Sequence, residues 1–285
     1  MNYKIIVNPI AGYGQSLSVA EQIVEWYKEE VALELIPTVQ DKSIADIIGE
    51  VNADDVIVAM GGDGTINMVG RYCYEHQLRM GIIPTGSGNG LARHLELSLT
   101  PFIAFRNIID GKDSIIDLAQ WNKEFFFNVA GIGFDGYVAH LFNASKQRGF
   151  GTYVRAILKA IRSFEKGYYE FEIDGKVINT DAVLISFANS SQYGNDTYIA
   201  PGAKLGDGLL DIVVVKKINW WNVFRLGMMI KSKKLERAKS VSFYKGKRII
   251  INKFDTSYAH IDGEPLKAEN SIAITVIPKA LRIIK

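Results

Sequence analysis

The chain has 285 residues, 48% of them hydrophobic and 22% charged, with a formal net charge of +2. That is the composition of a globular protein with a substantial core, and so even a charge balance gives no electrostatic footprint for nucleic acid. The single cysteine, Cys73, excludes internal disulfides and a thiolate metal cage.

No apolar run approaches the roughly 18 residues that a membrane-spanning helix requires. The N-terminal MNYKIIVNPI enters a strand pattern at once, without the apolar stretch and cleavage site of a secretion signal. The expected location is the cytoplasm, at most peripheral to the inner face of a membrane.

Tyr3 to Val7 reads as a strand that Asn8-Pro9 stops; Gly12 and Gly14 extend the turn, and Ser16 or Ser18 can cap a helix carrying Val19, Ile23, Trp26 and Tyr27. Leu33 to Pro37 is a second strand with Thr38 just beyond it, and Ser43 to Val51 is expected to be helical. Val56 to Met60 has the length and apolarity of a buried strand. Gly61, Gly62, Asp63, Gly64 and Thr65 follow, and a helical pattern with Ile66, Val69 and Tyr72 on one face starts after them. Glycine admits an anion close to the backbone, and a helix start offers N–H groups and the positive end of the dipole, so this order suits a phosphate. Asp63 adds a carboxylate where phosphate would bring negative charge, which makes sense beside a metal ion or a reacting hydroxyl.

Met80 to Ile83 is a further short strand, and PTGSGNGLARHLEL runs from it through Thr85, Gly86, Ser87, Gly88 and Asn89 into a helix. Loops of this kind at the carboxyl ends of successive strands predict an open, doubly wound α/β sheet with a nucleotide at its loop edge. No GxxxxGK[ST] is present, so a Walker-type site is excluded.

After the helix Pro101 to Asp110 the texture changes to short strands: Ile115–Ala119, Glu124–Val129, Tyr169–Ile173, Ala182–Ala188 and Leu209–Val215. This predicts an antiparallel β domain. The expected division is 1–120 and 121–285, with a last strand, Ile272 to Ile284, that can return to the first domain. GIGFDG, Gly131 to Gly136, matches GxGxxG literally, but Lys146 and Arg148 follow where a dinucleotide site wants an acid, and the region turns β-rich. Ile218 to Lys239 is basic and aromatic: Trp221, Phe224, Met228 and Leu235 alternate with Arg225, Lys231, Lys233, Lys234, Arg237 and Lys239. Such a helix can lie on an anionic membrane, pack into a core, or form a dimer surface.

The order NPIAGYG, GGDGTINMV, PTGSGNGLARHL, with SYAHIDGEPL near the end, resembles the diacylglycerol kinase catalytic-domain family, which includes bacterial lipid kinases and sphingosine kinases. GGDG is shared with NAD kinases and phosphofructokinases; the GSGN loop and the DGE turn point to the lipid-kinase branch. The resemblance implies an NAD-kinase-like α/β domain followed by a β-sandwich-like one. It implies ATP bound by Asn8, Thr38, Gly61, Gly62, Asp63, Gly64, Thr65, Asn67, Thr85, Gly86, Ser87 and Asn89, with Mg²⁺ neutralising phosphate charge.

By the same resemblance Asp135 is a candidate to bind a lipid head group at the cleft. AKLGDGLLDIVVV would hold a structural Mg²⁺ through the Asp207 side chain and carbonyls near Lys204 and Leu209. The carboxylates of Asp262 and Glu264 would serve the lipid hydroxyl, with Glu264 favoured as base and Asp262 supporting, and Asp63 acting through Mg²⁺ or on the nucleophile. The implied activity is an ATP- and Mg²⁺-dependent lipid kinase acting at a membrane surface, as a monomer or a homodimer. An NAD kinase and a non-catalytic nucleotide or lipid sensor are the rivals; a degenerate sensor would be expected to lose Asp63, Asp262 or Glu264, and all are present.

Overall fold

A computed structural model describes residues 2–145, 150–218 and 222–285. Lys146, Arg148 and Trp221 lie outside the described residues. The chain divides into two compact units, one of residues 1–116 with 279–285 and the other of residues 117–278.

The first unit is a parallel sheet in the order β2-β1-β3-β4, from β1 (Tyr3–Val7), β2 (Leu33–Pro37), β3 (Val56–Gly61) and β4 (Arg79–Pro84). The helical elements are α1 (Ala11–Gly14), a turn in which Gly12 and Tyr13 are left-handed, and the helices α2 (Ser16–Tyr27), α3 (Asp63–His76), α4 (Gly90–His94) and α5 (Pro101–Asp110). β1 and β3 are buried along their whole length, which is why they read as unbroken apolar runs rather than alternating ones. Tyr3, Ile5, Val7, Val56, Val58 and Met60 pack on Ala20, Ile23 and Tyr27 of α2 and on Ala104, Phe105 and Ile108 of α5.

The helix expected over Ser43 to Val51 is not formed. Ser43 and Asp46 cap a single turn, Ile48 N–H donates to Ile44 O at 3.0 Å, and Gly49 at φ +68° ends it. Ile44 and Ile48 are buried all the same, so the periodic apolar signal was real but the segment is too short to propagate a helix.

The second unit is antiparallel. Its strands are β5 (Asp113–Trp121, from residue 117), β6 (Glu124–Phe126), β7 (Val129–Gly133), β8 (Gly167–Ile173), β9 (Lys176–Ala182), β10 (Leu184–Ala188), β11 (Leu210–Val215), β12 (Val241–Gly246), β13 (Arg248–Phe254), β14 (Tyr258–Ile261), β15 (Glu264–Lys267) and the first part of β16 (Ile272–Ile284). One sheet runs β12-β11-β10-β7-β14-β15, and β16, β13, β8 and β9 form a second. Tyr169, Phe171, Ile173, Ile249, Ile251, Ile272 and Ile274 share one core with Ala130, Ile132, Ile185, Phe187, Leu210, Ile212 and Val214. β8 alternates in sequence because its other face is open, with Tyr168 exposed; β10 and β11 do not, because helices cover their second face.

Those helices are α6 (Phe134–Asn143), α7 (Phe150–Ser163) and α8 (Val223–Lys231). In the basic-aromatic segment Leu226 and Leu235 face the core while Phe224 and Met228 are exposed. The last residues of β16 belong to the first unit, where Arg282 and Ile283 pair in parallel with Arg79 and Met80. An N-terminal α/β domain followed by an antiparallel sheet domain is thus the fold.

Candidate functional site

At the carboxyl edge of the parallel sheet the glycine loops are fastened to one another. Asn8 N–H donates to Met60 O (3.0 Å) and Thr38 N–H to Val7 O (2.8 Å), so β1, β2 and β3 end in register. Asn8 Oδ1 accepts the N–H of Ile10 at 3.2 Å, and its Nδ2 lies 3.4 Å from Thr65 Oγ1. Thr85 N–H donates to Gly61 O at 2.9 Å, Ser16 Oγ–H to Thr85 Oγ1 at 2.9 Å, and Gly90 N–H to Asp63 Oδ1 at 2.8 Å. Asn89, left-handed at φ +52°, donates Nδ2–H to Gly86 O at 2.8 Å.

The glycines have steric reasons. A Cβ on Gly61 would overlap the Thr65 side chain, and one on Gly86 would overlap Gly62 Cα. Gly64 is different, because a Cβ there would meet nothing within 4 Å. It sits in the first turn of α3, just after the extended Gly62, where backbone N–H groups lack helical acceptors and the dipole is positive. The edge therefore gathers Asn8, Thr38, Gly61, Gly62, Asp63, Gly64, Thr65, Thr85, Gly86, Ser87 and Asn89, with Asn67 half-buried one turn further along α3. Its electrostatics suit an anion with oxygen-rich phosphates. His94 is half-buried on α4, and burial lowers its pKa.

In the second unit the DGE turn is a two-residue hairpin. Ile261 pairs with Glu264, and Asp262 (φ +48°) and Gly263 (φ +88°) take the left-handed conformations of a type I′ turn. The Asp262 carboxylate accepts N–H bonds from Phe127 (2.9 Å), Asn128 (2.8 Å) and Val129 (3.1 Å), tying the turn to the chain that enters β7. Gly263 N–H donates to His260 Nδ1 at 3.3 Å. Glu264, the first residue of β15, is exposed. The two acids are thus unlike: one holds the turn, the other is displayed by it.

Asp135, the second residue of α6, is only 8% exposed. Its Oδ1 accepts Gly136 N–H at 2.9 Å, and its Oδ2 faces Ser186 Oγ (3.0 Å), Tyr193 Oη (3.2 Å) and His260 Nε2 (3.2 Å). Burial, then the charge of Asp135, pushes the Tyr153 phenol up to about 12 and the Tyr193 phenol well above its ordinary value. Each glycine of GIGFDG serves this packing: a Cβ on Gly131 would strike the Asp135 carboxylate, one on Gly136 would strike the Ala259 backbone, and Gly133 is at φ +103°. These internal reasons leave the dinucleotide motif without a structural counterpart. Sequence reasoning missed Ser186, Tyr193 and His260; the signal for His260 was its place two residues before DGE, next to Ala259 on a short strand whose two central residues are both buried.

Around the Asp207 turn the side chains are acidic with one cation among them. Gly208 N–H donates to buried Asp117 Oδ2 at 2.7 Å, Leu209 N–H donates to Asp207 Oδ1 at 3.1 Å, and Lys245 Nζ lies 3.0 Å from Asp211 Oδ2 and 3.6 Å from Asp207 Oδ2. Burial raises the pKa of Asp211, which Lys245 offsets. Among the described residues no group of three or more His, Cys, Asp or Glu side chains could hold a metal, so an ion here would rest on one carboxylate and on carbonyls. The donors are hard oxygens and acids outnumber the lysine, which fits Mg²⁺ rather than a thiophilic metal.

Among the described residues no helix is long and apolar enough to cross a membrane.

Residues 2–121 match the diacylglycerol kinase catalytic domain, and residues 128–285 match the YegS C-terminal NAD kinase beta sandwich-like domain. A diacylglycerol kinase of Bacillus subtilis (strain 168) is 26% identical over 269 residues, covering 92% of this chain and 89% of that protein. One from Mycobacterium tuberculosis (strain ATCC 25618 / H37Rv) is 26% identical over 307 residues, covering 98% and 94%. Among solved structures, a Bacillus anthracis str. Sterne protein superposes with a TM-score of 0.78 at 23% identity, over 99% of this chain and 94% of that one. A second, described as a diacylglycerol kinase from the same organism, gives 0.73 at 21% identity, over 99% and 96%. The chain belongs to the diacylglycerol kinase catalytic-domain family, joined to a YegS-type C-terminal domain.

Proposed function

We propose that the protein is an ATP-dependent lipid kinase that transfers the γ-phosphoryl group to a lipid hydroxyl. The observation that carries this reading is the DGE hairpin, which presents Glu264 to solvent on a turn held from two sides, in a chain whose other unit fastens glycine loops around a helix start. Relatives named diacylglycerol kinase support the acceptor class.

In this reading the N–H groups of the Gly62–Thr65 turn bind phosphate oxygens, and Asn8, Thr38 and Thr85 frame them. Mg²⁺ accompanying the nucleotide would be held with the help of Asp63 and would neutralise phosphate charge. A second, structural ion would be held by the Asp207 side chain and the carbonyls of Lys204 and Leu209. Glu264 accepts the proton of the attacking hydroxyl, for which orientation matters more than basicity because the transition state is loose. Asp262 fixes the turn rather than sharing the proton, and Asp135 organises the residues behind it. Phe224 and Met228, exposed on α8 beside Arg225 and Lys231, are our candidates for contact with the surface that holds the lipid.

The test is transfer of labelled γ-phosphate from ATP to diacylglycerol, monoacylglycerol, sphingosine and ceramide in mixed micelles, with NAD as a further acceptor, with and without Mg²⁺. Mg²⁺-dependent labelling of one lipid is expected. Labelling of NAD alone, or binding of ATP without transfer to any acceptor, would refute the proposal.

Gly86→Ala probes the nucleotide half. The added Cβ would overlap Gly62 Cα and crowd Asn89 Oδ1 at 2.9 Å, forcing the Gly61–Thr65 and Thr85–Asn89 loops apart. ATP affinity by calorimetry is expected to fall at least about tenfold, since loop displacement of an ångström removes several phosphate contacts at once. Gly64→Ala meets nothing in the protein and serves as the comparison: it weakens ATP only if the nucleotide fills the space above α3.

A further inference from the structure

Three strands bring one buried cluster together. Gly131 of β7 is paired with Ser186 of β10 on one side and with His260 of β14 on the other. Because Gly131 has no side chain, the Asp135 carboxylate can settle above it; a Cβ there would collide with Oδ2. From that position Oδ2 takes a hydrogen bond from Ser186 at 3.0 Å and lies 3.2 Å from His260 Nε2. Ser186 is 0% and His260 3% exposed.

The other ring nitrogen reaches the hairpin. Gly263 N–H can only donate, so His260 Nδ1, 3.3 Å away, must accept. The proton of the neutral ring therefore sits on Nε2, where Asp135 receives it. A continuous path runs from Asp135 through the imidazole to the amide of Gly263, whose carbonyl carbon is bonded to Glu264.

We infer that His260 is a positioning residue for the reaction: held in one tautomer by Asp135, it fixes the Gly263 amide and with it the direction in which Glu264 points. This rests on the reading of Glu264 as the base. His260 does not touch the acceptor hydroxyl; it acts through the turn.

The two ends of the imidazole can be separated by substitution. In His260→Asn the side-chain oxygen lies close to the place of Nδ1 and can accept from Gly263, while the partner at Asp135 is lost. In His260→Gln the amide nitrogen lies close to Nε2 and can donate to Asp135, while the acceptor for Gly263 is lost. The Asn variant is expected to keep at least about ten times the kcat of the Gln variant, with the KM for ATP unchanged in both. Equal kcat values in the two variants, or values that follow their melting temperatures, would overturn the inference while leaving the kinase reading intact.

A second readout needs no substrate. Wild-type protein with ¹⁵N-labelled histidine, His260 assigned by difference from the Asn variant, is expected to show the Nε2–H tautomer. The Gly263 amide is expected to exchange with solvent at least about tenfold faster in the Gln variant than in the wild type. An Nδ1–H tautomer, or an unchanged Gly263 amide, refutes the role even if no lipid is ever phosphorylated.

Discussion

Glu264→Gln is expected to lower lipid phosphorylation by about 10²- to 10⁴-fold, the range that a positioned general base contributes. The melting temperature is expected to stay within about 2 °C of the wild type, because exposed substitutions away from caps, cores and networks change stability by about 0.5 kcal/mol or less. Glu264 is exposed, at the first position of β15, and the bonds that hold the hairpin run through Asp262 and Gly263 instead. Gln preserves the shape and the strand pairing with Ile261 while removing the proton acceptor. ATP affinity is expected to be unaltered, since in the proposed reading Glu264 serves the acceptor hydroxyl and not the nucleotide. The check is kcat and KM for ATP and for the lipid, with thermal melting of the same samples. A Gln variant that turns over normally would exclude Glu264 as the base.

Much of the loop edge of the parallel sheet was legible in the sequence, and the reason is local. Gly61 to Thr65 and Thr85 to Asn89 carry their geometry in consecutive residues: a strand that ends, glycines that admit close approach, a helix that begins. The apolar runs of β1 and β3 and the alternation of β8 announced which strands are buried on both faces and which on one. The segment 43–51 misled for an equally local reason, since its apolar spacing fits one turn as well as several and Gly49 closes it after the first.

What could not be read was whatever depends on register between distant strands. Nothing in SYAHIDGEPL says that His260 will stand beside Gly131, nor that Ser186 will flank the same glycine from β10. The sequence context already set the dinucleotide reading of GIGFDG aside, but not what its glycines are for: the atoms that require Gly131 and Gly136 are the Asp135 carboxylate and the Ala259 backbone, contributed by tertiary packing. Glu264 was favoured over Asp262 as base, but the physical difference between the two was out of reach for the same reason. Their difference lies in three N–H groups more than a hundred residues earlier in the chain, at Phe127, Asn128 and Val129.

That difference makes Asp262→Ala the converse experiment. Removing the carboxylate strips a charged acceptor from three backbone donors at 2.8 to 3.1 Å. Hydrogen bonds to charged groups contribute about 1.5–3 kcal/mol each, and partial access of water to this site reduces the sum to roughly 3–4 kcal/mol. The left-handed backbone at φ +48° adds about 1 kcal/mol against Ala, a conformation that Asp and Asn tolerate better. A drop in melting temperature of about 8–15 °C is therefore expected. Asp262→Asn should fall between, because its remaining oxygen can still accept from Asn128 and Val129 while its NH₂ faces the Phe127 N–H. Thermal melts of wild type, Asn and Ala should order in that sequence, and hydrogen exchange should rise first at residues 127–129. Turnover falls as well, since the hairpin that aims Glu264 is released, but it falls together with stability, the opposite of Glu264→Gln. An Ala variant that melts like the wild type and yet has lost turnover would return Asp262 to the chemistry and remove the anchoring role assigned to it.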